Sequence, residues 1–138
     1  MALRDSGPNP CTLDIEDATV ANENFRTTAW TGEHLQLTLM AIPVGGEIGG
    51  EVHPDHDQFI RIEQGTGRVE MGASESEISF TDEVTDDWAI LIPAGKWHNV
   101  TNTGEEPLKL YSLYGPPDHV AGAVHPTKAD ADSDPNEH

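Results

Sequence analysis

One cysteine, Cys11, is all the thiol chemistry in 138 residues. A lone cysteine excludes an intrachain disulfide, and its place near the N-terminus marks an incidental thiol rather than a catalytic one. Bases are nearly as scarce. Seven Lys plus Arg face 25 acids, a formal charge of -18, and only three of the seven are lysines. Phosphate neutralisation needs clustered Lys and Arg, so nucleic acid is excluded as a partner. Anionic membrane surfaces are excluded on the same ground. No stretch approaches the roughly 20 apolar residues that cross a bilayer. The N-terminal region lacks a basic segment followed by an apolar run, so no secretory signal is expected and a cytoplasmic setting fits best. Aromatic content is 6%, and no amphipathic helix of any length stands out.

Glycine and proline are abundant by contrast, at 13 and 10 residues. They imply many turns, as in an all-β chain, and the length suits one domain. Residues 1–23 read as an irregular arm broken by Gly7, Pro8 and Pro10. From Asn24 short strand candidates follow closely: Phe25 to Trp30, His34 to Ile42, Gln58 to Gln64, Gly67 to Met71, Glu77 to Phe80, Trp88 to Ile92, His98 to Thr103 and Leu108 to Tyr114. In the second of these Leu35, Leu37 and Leu39 share one face, and His34, Gln36 and Thr38 the other. Such spacing predicts a sandwich or barrel over residues 24–117. Residues 118–138 form an acidic segment that is expected to fray from about Lys128. The acids are spread along the whole chain. They suit either a solvated, self-repelling surface or adaptation to high salt.

Several potential metal ligands crowd the segment Gly45 to Gly65. Glu51 and His53 are two apart, and residues i and i+2 of a strand point to one face. Pro54-Asp55 interrupts the strand and resets the alternation, which lets Gln58 face inward as well. Far along the chain, Pro93-Ala94-Gly95 makes a tight turn whose following strand could deliver His98 to the same place.

These two segments resemble the paired motifs of the cupins, G-x5-H-x-H-x(3,4)-E-x6-G and G-x5-P-x-G-x2-H-x3-N. The first reads here Gly45, five residues, Glu51, Val52, His53, four residues, Gln58, six residues, Gly65. The second reads Asp87, five residues, Pro93, Ala94, Gly95, two residues, His98, three residues, Asn102. Every spacing agrees, and the flanking strands extend the likeness over about residues 24–115. Three positions depart from the pattern: Glu51 replaces its first histidine, Gln58 its glutamate and Asp87 the leading glycine of its second motif. The resemblance implies an all-β double-stranded β-helix, a jelly-roll barrel. It implies one divalent transition metal ion held by Glu51, His53, Gln58 and His98. The exchanges offset in charge, since two His, one Glu and one Gln carry the same single negative charge as three His and one Glu. Glu51, His53 and His98 make a two-histidine, one-carboxylate set that suits Fe, Mn, Co or Ni, with Zn possible. Gln58 is then a weak fourth ligand or a hydrogen-bonding neighbour of the ligands. The alternative is a barrel that has lost its metal.

The remaining candidates carry less. His56 is three from His53 and cannot share its strand face, so it should face solvent or support a ligand. His34 could face either side of its strand. His119, His125 and His138 read as surface residues, Arg61 as an ion-pair partner of nearby acids, and Trp88, Trp97 and Tyr111 as core or rim. Gly65-Thr66-Gly67 is a hairpin turn and not a phosphate loop, because no helix follows it. Three functions stay open: a metal-dependent, dioxygenase-type oxidoreductase using Glu51, His53 and His98 on a small organic substrate, an isomerase or lyase on the same scaffold, and a binding module without turnover. A sugar phosphate would want a cationic clamp, and Arg61, Arg68 and Lys96 are the only bases near the motifs. Small cupins also pair as homodimers, often by exchanging N-terminal strands, which the arm could do.

Overall fold

The computed structural model describes residues 4–135. Nine strands make two antiparallel sheets: β1 Arg26–Thr31, β2 Gln36–Ile42, β3 Asp57–Gln64, β4 Gly67–Gly72, β5 Ile78–Val84, β6 Ala89–Ile92, β7 Trp97–Asn102, β8 Leu108–Gly115 and β9 Val124–His125. The larger sheet runs β6-β3-β8-β2-β1-β9 and the smaller β5-β4-β7. Their inner faces share one core, with Met40, Ile42, Ile60, Ile62, Leu108 and Leu110 meeting Val69, Val84 and Val100. This is the jelly roll expected from the sequence, and all eight expected strands are present. β9 was not anticipated, being two residues long.

The interior is graded along the barrel. On β2 the inward series runs Ile42, Met40, Thr38, Gln36, and on β8 it runs Leu108, Leu110, Ser112, Tyr114; all eight are buried. The register sets like beside like: Ile42 opposite Leu108, Met40 opposite Leu110, Thr38 opposite Ser112, Gln36 opposite Tyr114. Tyr114 also faces Gln58 on β3. One end of the barrel is therefore apolar and the other polar. Burying polar groups costs free energy unless they find partners, so the polar end is where a ligand-binding site is expected.

Two short helices correct the expectation of none. α1, Ile15–Ala21, begins at Asp14, whose carboxylate accepts from the Asp17 backbone N–H at 3.0 Å. Ile15 and Ala18, with Leu113, pack on the cluster of Ala29, Leu37 and Leu39, so α1 covers the outer face of β2 and β8. Both faces of β2 are thus covered. Burying one leucine such as Leu39 is worth about 2 kcal/mol, and Leu39 is fully buried. The arm is anchored to its own chain: the Asp5 carboxylate accepts from the backbone N–H groups of Thr31 and Gly122 and from the Thr31 hydroxyl. α2, Lys128–Ser133, forms where fraying was expected. Thr127 and Asp130 make a reciprocal capping box and Ala131 enters the core.

The second motif's leading position has a backbone reason for glycine. Asp87 lies at φ 71°, a left-handed conformation that costs an L-residue roughly 1–2 kcal/mol, though aspartate tolerates it. Its carboxylate accepts from Arg61 Nη2 at 2.9 Å, which gives Arg61 the ion-pair role expected of it, and Arg61 Nε also donates to Glu63 at 2.6 Å. An exposed pair of this kind is worth about 0–1 kcal/mol. Asp87→Gly removes the strain and the pair together and is expected to leave the urea midpoint nearly unchanged. Asp87→Ala loses the pair and keeps the strain, so it should unfold at lower urea, by about 1 kcal/mol relative to Asp87→Gly. Equal stability of the two variants would exclude backbone strain at this position.

Candidate metal centre

Backbone hydrogen bonds stitch the first motif to the second. Residues 46–53 run antiparallel to β7 in two isolated bridges, Glu47 with Thr101 and Glu51 with His98. Glu51 N–H donates to the His98 carbonyl at 3.0 Å and His98 N–H to the Glu51 carbonyl at 2.9 Å. Gly95, at φ 82° in the turn before β7, donates its N–H to the His53 carbonyl at 2.9 Å. Glu51 and His53 therefore lie not on a regular strand, as the sequence suggested, but on an extended segment held in strand-like register. The i, i+2 alternation survives, and both side chains turn inward beside His98.

One ligand atom each from Glu51, His53 and His98 lie within 4.8 Å of one another, a group that could hold an ion. His53 Nε2 is 2.8 Å from Glu51 Oε2, yet the contact lacks hydrogen-bond geometry and leaves this buried nitrogen unmatched. His98 turns its Nδ1 to the Lys96 carbonyl at 3.1 Å, which places its proton there and leaves Nε2 with a lone pair. His53 sets its Nδ1 3.5 Å from the Asp118 carboxylate. Metal-binding histidines are commonly held by such partners on the far ring nitrogen. Gln58 is buried on the inner face of β3; its Nε2 donates to Ser112 Oγ at 3.3 Å, and its Oε1 has no partner. An unmatched buried amide oxygen, a carboxylate and two oriented imidazoles suit a divalent cation once His53 gives up its proton.

The charges of the metal-free site follow from its neighbours. Burial pushes the Glu51 carboxyl up, but His53, Arg26 and His98 outweigh it and hold the group below its ordinary range. Burial lowers His98, which keeps it neutral and able to ligate. Burial also works against a charged His53, yet the carboxylates of Asp118 and Glu51 raise it to about 9. His53 is then protonated at pH 7, and an ion bound at its ring would have to displace that proton. Metal loading at pH 7 is accordingly expected to release about one proton per site, with affinity rising as pH climbs towards 9 and levelling above it. Calorimetric titration with Zn(II) in buffers of different ionisation enthalpy measures this directly. A heat independent of buffer would mean that His53 is already neutral.

Asp118, Arg26, His119 and Tyr114 also belong to this end of the barrel, and the sequence did not reveal them. Asp118 lies 3.5 Å from His53 Nδ1 and 3.4 Å from His56 Nε2. His56 Nδ1 contacts the Pro116 carbonyl at 2.7 Å, so His56 supports the ligands' surroundings, one of the two roles expected of it. His125 is buried and His119 is half-buried with its side chain shielded, so neither is a surface group. His119 stacks edge-on against Tyr114, and His125 Nε2 meets Asp134 at 2.9 Å. They were misread because their Pro- and Gly-rich surroundings carry no periodic signal. His34 points to solvent, and His138 lies outside the described residues. A cavity of about 540 Å³ opens over Glu51 and His53, walled by Phe25, Arg26, Ile48, Asp118, His119 and Lys128. That volume suits a small organic molecule.

Comparison with known proteins agrees with the fold. The uncharacterized protein YrkC of Bacillus subtilis (strain 168) is 56% identical over 131 residues, 95% of this chain and 70% of YrkC. The uncharacterized protein L612 of Acanthamoeba polyphaga mimivirus is 36% identical over 113 residues, 81% of this chain and 69% of L612. The crystal structure of BH2720 from Bacillus halodurans superposes with a TM-score of 0.94 at 56% identity, covering 96% of this chain and 100% of that one. The family profile described as Cupin domain matches residues 38–114. That span runs from the inner face of β2 to the end of β8 and takes in both motifs, and with it the chain belongs to the cupin family.

Proposed function

We propose that the protein is a metal-dependent oxidoreductase of the dioxygenase type acting on a small organic substrate. The observation that carries this reading is the two-histidine, one-carboxylate group of Glu51, His53 and His98 beneath an open cavity. Such a set leaves coordination positions free and suits Fe(II) or Mn(II). A bound divalent ion of this kind would supply Lewis acidity and one-electron chemistry. The chain's own residues orient and insulate. Lys96 and Asp118 fix the rings of His98 and His53 through their Nδ1 atoms. Gln58 offers a neutral oxygen as a fourth ligand or a hydrogen-bond acceptor. Tyr114, fully buried, sets its ring edge-on to His53 with centroids 5.8 Å apart and backs that ligand. Burial pushes its phenol well above the ordinary range, so it stays protonated.

The test is oxygen consumption by Fe(II)- or Mn(II)-loaded protein given catechols, diketones and flavonoid-like compounds. An oxygenase consumes dissolved oxygen with its substrate, and the response vanishes in His98→Ala. Equal turnover without air would replace this reading with an isomerase or lyase. A homodimer in a cytoplasmic setting completes the proposal, and sedimentation reads the oligomeric state.

A further inference from the structure

Arg26 stands at the start of β1 and is 5% exposed. It is one of only seven Lys and Arg in the chain, and it is spent inside the barrel. Its Nη2 lies 3.7 Å from Glu51 Oε1, too long for a hydrogen bond. Its Nε is fully buried with no hydrogen-bond partner. A buried guanidinium so poorly matched is costly unless an anion completes it. Glu51 completes it only in part, because Oε1 stays beyond hydrogen-bond reach and Oε2 faces His53 at 2.8 Å. The side chain instead lines the same cavity as Glu51 and His53. A guanidinium presents a planar fork of donors matched to a carboxylate. Lys128, the other base on the cavity wall, is held by Asp132 at 2.8 Å.

We propose that the cavity binds a small organic carboxylate, with Arg26 receiving the carboxylate group beside the metal position. This deepens the oxidoreductase reading and rests on it for the metal. The acidic wall then acts as a filter. Glu47, Asp118 and Asp132 repel anions that make no contact with Arg26, so a carboxylate needs Arg26 to enter and is held most tightly where the ion acts with it. Arg26 is a binding residue in this account, and its loss should alter selectivity for charge and leave metal content intact.

Lactate and lactamide have nearly the same shape and differ in charge, which makes them suitable probes. Binding to Co(II)-loaded protein is read from the visible spectrum of the metal, independently of any turnover. Lactate is expected to bind roughly tenfold to a hundredfold more tightly than lactamide. Arg26→Met should erase that preference at unchanged cobalt content, and Arg26→Lys should restore part of it. Equal affinity for the two probes in the wild type would overturn the proposal. So would a preference that survives in Arg26→Met, or cobalt lost from that variant, which would make Arg26 a support for Glu51 alone. Should the wild type take up no cobalt, the metal reading fails on its own. Calorimetry of lactate with the metal-free protein then decides the role of Arg26: a heat abolished in Arg26→Met sustains it, and no heat in the wild type refutes it.

Discussion

His98→Ala is expected to lower bound transition metal from about one ion per chain to nearly none, as measured by elemental analysis of protein purified without an affinity tag. Glu51→Ala and His53→Ala should do the same, because the three side chains supply ligand atoms within 4.8 Å of one another. His56→Ala should keep its metal. Its ring is occupied by the Pro116 carbonyl at 2.7 Å and lies 3.4 Å from Asp118. Glu51→His should also keep it, since that change restores the commoner ligand set. Loss of the ion removes a stabilisation that acts only on the folded state, about 4 kcal/mol at a thousandfold excess over the dissociation constant. The wild type should therefore melt well above His98→Ala with metal present and close to it in chelator. A His56→Ala protein without metal beside a Glu51→Ala protein with it would mean that the ligands are drawn from the wrong register.

Asn102→Ala is expected to be the most damaging single truncation away from the metal. Asn102 closes the second motif at the apolar end of the barrel and is 3% exposed. Its Nδ2 donates to the carbonyls of Ile42 at 3.0 Å and Glu106 at 2.9 Å, and its Oδ1 accepts from Gly104 N–H at 2.9 Å. One amide side chain thus ties β2 to the turn between β7 and β8. Removing it leaves three backbone groups without partners, each costing about 1–3 kcal/mol, so a loss of about 3–5 kcal/mol is expected after partial rehydration. Asn102→Asp should fare no better, because a carboxylate cannot donate to either carbonyl. Denaturant titration measures both. A loss below about 1 kcal/mol in Asn102→Ala would mean that water replaces the side chain at all three points.

The strands and the candidate ligand group were legible because their signals are local. Turn residues punctuate the chain, alternation marks the strands, and fixed spacing carries Glu51, His53 and His98. What was missed lacks a local pattern. Leu37 and Leu39 look like a core face, yet they lie under α1 outside the barrel, while Gln36 and Thr38 turn into it. Sequence alternation shows that two faces differ; it does not show which is inside when both are covered. α1 and α2, at seven and six residues, are too short for a helical period to stand out. Their caps, Asp14 and Thr127, are single residues and were not read as helix starts. Arg26 and Asp118 reach the site from opposite ends of the chain, and only the folded topology brings them together. The departure at Asp87 was visible, but its left-handed backbone was not.

The pairing of β1 with β9, Arg26 opposite His125, closes the chain's two ends into one side of the pocket. Glu51, His53, Gln58 and His98 all fall within the matched span 38–114, whereas Phe25, Arg26, Asp118, His119 and Lys128 fall outside it. On the proposed function the middle of the chain would hold the ion, and its two ends would choose the molecule that reaches it. Selection can rework those ends without disturbing coordination, so cupins with identical ligands are free to part company over substrate.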